Sequence, residues 1–164
     1  MFATRRISTF ASNKTHMKVL IVLLATFGIG LVVTKLSGDF NIKLSAHIAM
    51  AVMMAFTALG HFKFTKGMML MLPSFIPYKK QVVYITGVIE IAAAAGLLIP
   101  ATRTLAAWCL ILFFMVLTPA NINAAIKHIN MEKATFDGPG PEYLRFRIPL
   151  QLLFIAWVYW SCLL

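Results

Sequence analysis

Long apolar segments separated by short polar stretches make up most of the chain. Five of them are long enough to cross a bilayer, because about 20 apolar residues at a rise of ~1.5 Å span its hydrocarbon core. They occupy residues 17–34, 44–62, 82–99, 105–126 and 148–164. This pattern predicts an all-α polytopic membrane protein, with a four-helix transmembrane bundle core at residues 44–164 and one extra amino-terminal transmembrane helix at residues 17–34.

Composition and charge agree with that class. Hydrophobic residues make up 60% of the chain and charged residues only 12%, which is more apolar surface than a soluble domain needs. The net charge of +10 comes from lysines and arginines that flank the apolar segments, mostly on one side of the predicted membrane, and no nucleic-acid motif accompanies them. By the positive-inside rule we expect a cytoplasmic amino terminus and an external carboxyl terminus. We expect a bacterial inner-membrane protein, and no nucleic-acid partner because no motif for one is present.

Residues 1–16 form a basic amino-terminal segment that contains Arg5, Arg6 and Lys14 but no acid. Such a composition is typical of an organelle-targeting segment. Met17 followed by Lys18 and an apolar run would serve equally well as the true start of the protein. The sequence leaves both interpretations open, a targeting segment and a start-site extension.

Glu90 stands in an otherwise uncharged apolar segment. A carboxylate near the middle of a membrane helix costs about 2.5–3.5 kcal/mol on insertion scales, so it must pair, protonate or line a wet cavity. Other polar side chains in the predicted spans form pairs three or four residues apart, which places both members on one helix face. The pairs are Thr57 with His61, Thr86 with Glu90, Thr118 with Asn121, and Arg147 with Gln151.

All four pairs fall in the cytoplasmic half of the predicted topology, so we expect the four faces to meet in a pocket for a ligand or a proton. Arg147 is the favoured partner for Glu90, because its planar fork matches a carboxylate, and His61 is the second candidate. The competing interpretation is structural, since membrane helices also use Thr, Asn, Gln and His only to hold each other. No residue is assigned a catalytic role, and no spacing typical of a metal site is present.

The segment at residues 63–80 is apolar and rich in methionine, and it contains Gly67, Pro73 and Pro77. We expect it to lie at the membrane surface or to re-enter the membrane shallowly. Its methionines then form either an adaptable entrance for a lipid or quinone or a simple surface helix. Cys109 and Cys162 fall within predicted spans without a C-x-x-C motif, so a disulfide between them stays open.

Seven short motifs resemble the DoxX-like family of small membrane proteins, with a match that begins at about Leu44 and covers about three quarters of the chain. They are Gly60-His61-Phe62, Leu72-Pro73 with Ile76-Pro77, Tyr84-Ile85-Thr86-Gly87-Val88-Ile89-Glu90, Gly96-Leu97-Leu98-Ile99-Pro100, Arg103 with Ala106-Ala107-Trp108, Pro119-Ala120-Asn121-Ile122, and Arg147-Ile148-Pro149-Leu150-Gln151. The resemblance implies a four-helix membrane core, to which the first helix is an addition. It does not imply one activity, since family members look like subunits of a thiosulfate:quinone oxidoreductase or partners of membrane redox enzymes, and distant relatives resemble assembly chaperones for membrane receptors. It gives no residue a catalytic role.

The leading hypothesis is an accessory membrane subunit, not catalytic alone, that is linked to quinone-dependent redox metabolism and holds a quinone or lipid in the inner-leaflet pocket. The alternative is an assembly chaperone or scaffold for membrane proteins. A third hypothesis is a proton-coupled small-molecule transporter that uses Glu90 and His61, although the chain lacks the internal repeat common among transporters. The sequence establishes no cofactor beyond the candidate quinone or lipid, and it leaves a homo-oligomer open.

Overall fold

The computed structural model describes residues 2–164, with side chains from Met17 onward. Within this range the chain is entirely helical apart from its connections, which confirms the all-α prediction. The side chains of the predicted basic segment at residues 1–16 lie outside the described part. The helices are α1 (Phe2–Leu36), α2 (Ile42–Lys63), α3 (Thr65–Met71), α4 (Lys79–Leu98), α5 (Pro100–Ile126) and α6 (Glu142–Cys162).

Short-range chemistry sets several of the helix boundaries. The Asn41 side chain accepts a hydrogen bond from the Leu44 backbone N–H at 2.9 Å and so caps the beginning of α2, as asparagine does at many helix starts. Gly38 has a φ of 83°, which lets the chain turn between α1 and α2. Pro100 is the first residue of α5, where its missing N–H costs no hydrogen bond.

Four helical segments of the described chain are long and apolar enough to cross a membrane. They agree with the first four predicted spans to within a few residues and are Met17–Leu36, Ile42–Lys63, Lys79–Leu98 and Pro100–Ile126. The fifth predicted span, residues 148–164, is not among them. The reason is that α6 carries Arg145, Arg147 and Gln151, and its uncharged remainder of about 15 residues would rise only ~22 Å.

Helix α6 nevertheless extends along the other helices to the level where α2 begins. Near the end of α6, the Ser161 carbonyl accepts a hydrogen bond from His47 Nε2 at 2.7 Å. One turn earlier, Trp157 Nε1 donates to the Ala46 carbonyl at 3.2 Å. The two bonds fix the carboxyl end of α6 beside the amino end of α2.

Helices α2, α4, α5 and α6 each contact the next, and α6 returns to α2, so that they surround a common core. Helix α1 lies outside this ring against α2 and α6. The core contains fully buried apolar side chains from most of these helices, among them Met53, Leu97, Leu110 and Val158. The outward faces are also apolar: Ile29, Leu105 and Ile126 are each at least 65% exposed.

Candidate functional site

A cavity of about 410 Å³ lies among α2, α4, α5 and α6, with α1 along its edge and α3 near one end. The structure brings seven of the eight predicted pocket residues to the wall of this cavity. Thr118 is the eighth, and it is joined to the cavity wall through Gln151. The seven that line the cavity are Thr57, His61, Thr86, Glu90, Asn121, Arg147 and Gln151.

His61 on α2 and Glu90 on α4 are two buried titratable side chains that contact each other. Glu90 is only 4% exposed and His61 only 8%. The distance between His61 Nδ1 and Glu90 Oε2 is 3.4 Å. His61 Nδ1 also lies 3.2 Å from the Thr57 carbonyl one turn earlier on α2. Glu90 Oε2 is fully buried and has no hydrogen-bond partner among the described residues.

Gly87 allows α4 to approach α2 closely enough for this pair to form. A Cβ atom at position 87 would lie 2.9 Å from the Cβ of His61, which is closer than ordinary van der Waals contact permits. Gly87 is three residues before Glu90, so both share one face of α4. Thr86 also lines the cavity, but its hydroxyl donates within α4, to the carbonyls of Val82 at 3.0 Å and Val83 at 2.8 Å.

A hydrogen-bonded network joins α5 to α6 on the opposite wall. Gln151 Nε2 donates to Thr118 Oγ1 at 2.8 Å and to the Phe114 carbonyl. Its Oε1 accepts from Asn121 Nδ2 at 3.2 Å. Tyr143 completes the network by donating its hydroxyl to Asn121 Oδ1 at 3.2 Å. Gln151 is thus engaged with α5, on the far side of the cavity from the His61–Glu90 pair.

Tyr143 was missing from the sequence prediction. It belongs to the first turn of α6, between Glu142 and Arg145, and outside the apolar segments in which polar residues were sought. Only the position of the amino end of α6 against α5 brings the Tyr143 hydroxyl to Asn121. A search for polar groups within spans could therefore not have found it.

Arg147 was the favoured partner for Glu90 in the sequence, whereas the direct contact of Glu90 is with His61, the second candidate. Arg147 lines the same cavity. Its positive charge lies near enough to act on both Glu90 and His61. This part of the cavity wall therefore holds the Arg147 guanidinium near the Glu90 carboxyl and the His61 imidazole.

Apolar side chains form most of the remaining cavity wall. Met53 and Met54 are fully buried there, whereas Phe56 is 41% and Leu59 65% exposed although both line the cavity. The cavity therefore reaches the apolar outer surface along this edge of α2. Charged side chains stand at the same end, with Lys18 Nζ 3.9 Å from Glu132 Oε1.

The methionine-rich segment forms α3 and packs into the protein. Gly67 and Met71 are buried, and a side chain at position 67 would overlap the backbone of Met131. Asn123 Nδ2 donates to the Met71 carbonyl at 2.7 Å, which ties α3 to α5. Met68 and Met71 line the cavity. The segment is thus part of the cavity wall, and its place at the membrane surface or as an entrance stays a prediction.

The connection from α5 to α6, residues 127–141, packs against α3 at the end of the cavity. Asn130 and Thr135 pair through their backbones at 2.8 Å and 3.4 Å. The Thr135 hydroxyl donates to Asp137, and this bond lowers the pKa of the exposed Asp137 carboxyl below its ordinary value. Met131 and Glu132 of this connection reach the cavity wall.

The cysteines do not form a second site. Both are free thiols, with Cys109 exposed on α5 and Cys162 half-buried at the end of α6, so the disulfide that the sequence left open is absent. In the described part of the chain no three His, Cys, Asp or Glu side chains are arranged to hold a metal ion.

A model for a family described as a domain of unknown function (DUF8561) matches residues 50–162. This match corrects the resemblance to the DoxX-like family, since no model of that family matches and all seven motifs that carried the resemblance lie within the DUF8561 region. Short Gly, Pro and Arg motifs at helix ends meet the packing needs of many small helical proteins and do not by themselves distinguish families. No curated protein and no solved structure matches the chain.

Proposed function

The chain belongs to the DUF8561 family, and we propose that it is an integral membrane protein that binds one amphiphilic molecule in the cavity of His61 and Glu90. The observation that carries the proposal is an almost buried carboxyl, Glu90, whose Oε2 lacks a hydrogen-bond partner beside an otherwise apolar cavity. A buried polar atom without a partner costs about 1–3 kcal/mol. A polar head group at this position would remove that cost.

The exposed faces of the helices favour insertion in a bilayer. Four segments have the length and hydropathy of spans, and large apolar side chains cover their outer surfaces. In water such a surface would drive association, whereas acyl chains solvate it. We propose that α6 crosses as well, because its Arg147 faces the cavity instead of lipid and its far end bonds to α2.

The basic residues give the orientation that we propose. Lys18 and Lys63 stand at the cavity end of α1 and α2, and Lys79 and Lys80 begin α4 at the same end. Positive charge is retained on the cytoplasmic side of membrane proteins. The cavity would accordingly face the inner leaflet, as the sequence suggested.

The shape of the cavity fits a molecule with an apolar tail. Its volume of about 410 Å³ is within the usual range of about 300–1,000 Å³ for small-molecule sites. Phe56 and Leu59 place an apolar edge of the cavity at the outer surface, where a tail can lie partly in the bilayer. Methionine side chains adapt to tails of different shape.

The alternative of an assembly chaperone or scaffold depended on a free methionine-rich surface. Gly67 and Met71 are buried, and α3 is bonded to α5. Met68, Met69 and Leu70 are only partly buried, so the segment keeps some surface for a partner, and a scaffold is the second candidate function. The proposed redox link depended on the DoxX-like resemblance, which the family match overturns, so a quinone enters here only as one amphiphile among others.

Native mass spectrometry of the protein purified in mild detergent tests the proposal. We expect one bound amphiphile per chain. Leu117 lines the cavity on α5, so Leu117→Trp should narrow it and remove the bound mass. Leu112 lies on the same helix and is 59% exposed on the outer face, so Leu112→Trp is the matched control and should keep the bound mass. A wild-type protein without bound amphiphile, or equal retention by both variants, would contradict the proposal.

A further inference from the structure

We infer that the head group of the bound amphiphile is an uncharged hydroxyl, which donates its hydrogen bond to the pair formed by His61 and Glu90. The ligand class is therefore a lipid alcohol. This inference rests on the proposed function and adds to it the chemistry of the head group.

The tautomer of His61 is set by its surroundings. Its Nδ1 lies 3.2 Å from the Thr57 carbonyl and 3.4 Å from Glu90 Oε2. A carbonyl oxygen only accepts, so the hydrogen bond to Thr57 requires that Nδ1 carry the proton. In a neutral imidazole the other nitrogen, Nε2, then has a free lone pair and acts as an acceptor.

Glu90 supplies a second acceptor at the same place. Its Oε2 is buried and has no hydrogen-bond partner among the described residues, because the nearby Nδ1 proton of His61 is directed to the Thr57 carbonyl. The Thr57 hydroxyl is itself engaged with the Met54 carbonyl at 2.9 Å. Thr57 also contacts the Glu90 carboxyl, but Oε2 itself stays an acceptor without a donor among the described residues, and His61 Nε2 is a second acceptor on the cavity wall.

Other head groups match this arrangement less well. A carboxylate or phosphate cannot donate and would be repelled by Glu90, although Arg147, Lys18 and Lys63 line the same cavity. An ammonium would be attracted by Glu90 but would be repelled by those three cations. An ether or ester would bring only acceptors. A hydroxyl can donate to an ionised Glu90, or donate to His61 Nε2 while it accepts from a protonated Glu90, so it fits both protonation states of that carboxyl.

Three probes with one acyl tail separate these classes, namely oleyl alcohol, oleyl methyl ether and oleic acid. Their binding is measured by native mass spectrometric titration of wild-type protein stripped of bound amphiphile. We expect the alcohol to bind about tenfold or more tightly than either of the others, which corresponds to the loss of one buried hydrogen bond.

Variants of His61 and Glu90 test whether these two side chains cause the preference for the alcohol over the ether. His61→Phe removes the imidazole acceptor and should lower the affinity for the alcohol about tenfold, while the affinity for the ether changes little. Glu90→Gln is nearly isosteric and introduces an amide donor, so it should lower the ratio of the affinity for the alcohol to the affinity for the ether. This variant tests the inference even if His61→Phe fails to fold. Thr34→Val is the matched control, because Thr34 lies on α1 away from the cavity wall and its hydroxyl donates within α1 to the Leu31 carbonyl, and it should leave the ratio unchanged.

Three results would overturn the inference. Equal affinities for the alcohol and the ether would show that no donor is recognised, and the proposed amphiphile site would survive. Tightest binding of oleic acid would assign the head group to the cationic side chains instead. Failure of all three probes to bind wild-type protein would remove the proposed site together with this inference.

Discussion

At the scale of single residues, the polar groups around the cavity occur in two sets, one on α5 and α6 and one on α2 and α4. The set on α5 and α6 is internally satisfied, because Gln151 bonds to Thr118, the Phe114 carbonyl and Asn121. The other set, His61 with Glu90, leaves an acceptor without a partner. The first set thus holds two helices together, and the second is the one suited to a ligand.

Replacing Gln151 with leucine should destabilise the fold by about 1–2 kcal/mol, since hydrogen bonds between membrane helices contribute about 0.6 kcal/mol on average and up to ~1.7. Unfolding in mixed micelles of increasing SDS fraction, followed by tryptophan fluorescence, measures this change. Gln81→Leu is the matched control, because Gln81 is exposed at the start of α4. Equal stability of the two variants would show that the network contributes nothing.

Sequence reasoning found the polar residues but not all of their pairings. The spacing of Thr57 with His61 and of Thr86 with Glu90 was sufficient to place each pair on one helix face. Whether Arg147 or His61 contacts Glu90 depends on how far α2 is shifted along its axis relative to α4. The hydrophobic periodicity of the sequence does not determine that shift. The structure fixes that shift at the contact of Gly87 with His61.

At the scale of helices, the close approach of α2 and α4 determines the geometry of the candidate site. In the structure a Cβ at Gly87 would lie 2.9 Å from the Cβ of His61, and one at Gly96 would lie 2.9 Å from the Cβ of Ala106. Only the first of these contacts adjoins the cavity.

Gly87→Ala should force α4 away from α2, cost about 1–3 kcal/mol of stability as overpacking does, and weaken amphiphile binding by separating His61 from Glu90. The same SDS titration and native mass spectra measure both effects. Gly28→Ala in α1 is the control, because no atom lies within 4 Å of the added Cβ, and alanine is the better helix former by up to about 1 kcal/mol. If Gly87→Ala bound amphiphile as well as wild type, the close contact would not be needed for the site.

At the scale of the whole molecule, the sequence predicted four apolar helices correctly because each carries its own signal of length and hydropathy. The structure also has a helix, α6, at the fifth predicted span, but Arg145, Arg147 and Gln151 lower its hydropathy, and only the tertiary structure places Arg147 and Gln151 at the cavity. The sequence allowed a short surface helix within residues 63–80, but not the burial of Gly67 in α3, which depends on the distant Met131. The wrong family resemblance came from motifs that describe helix ends and close packing, which many membrane proteins share.

Cysteine labelling in intact cells tests the proposed topology. In a background of Cys109→Ser and Cys162→Ser, a membrane-impermeant maleimide should label Ser37→Cys, between α1 and α2, and Leu164→Cys after α6. It should label Ser74→Cys, between α3 and α4, only after permeabilisation. All three native residues are exposed. Labelling of Ser37→Cys and Ser74→Cys from one side would mean that α2 does not cross.

Photo-crosslinking with an oleyl alcohol that carries a diazirine in its tail tests the central claim most directly, because it reports where the amphiphile lies. After irradiation and digestion, peptide mass spectrometry should find adducts on cavity residues of α2 and α3, such as Leu59 and Met68. Leu117→Trp should remove these adducts. Adducts confined to the outward-facing Ile29 and Leu105, unchanged by Leu117→Trp, would contradict the claim that the cavity of His61 and Glu90 is the binding site.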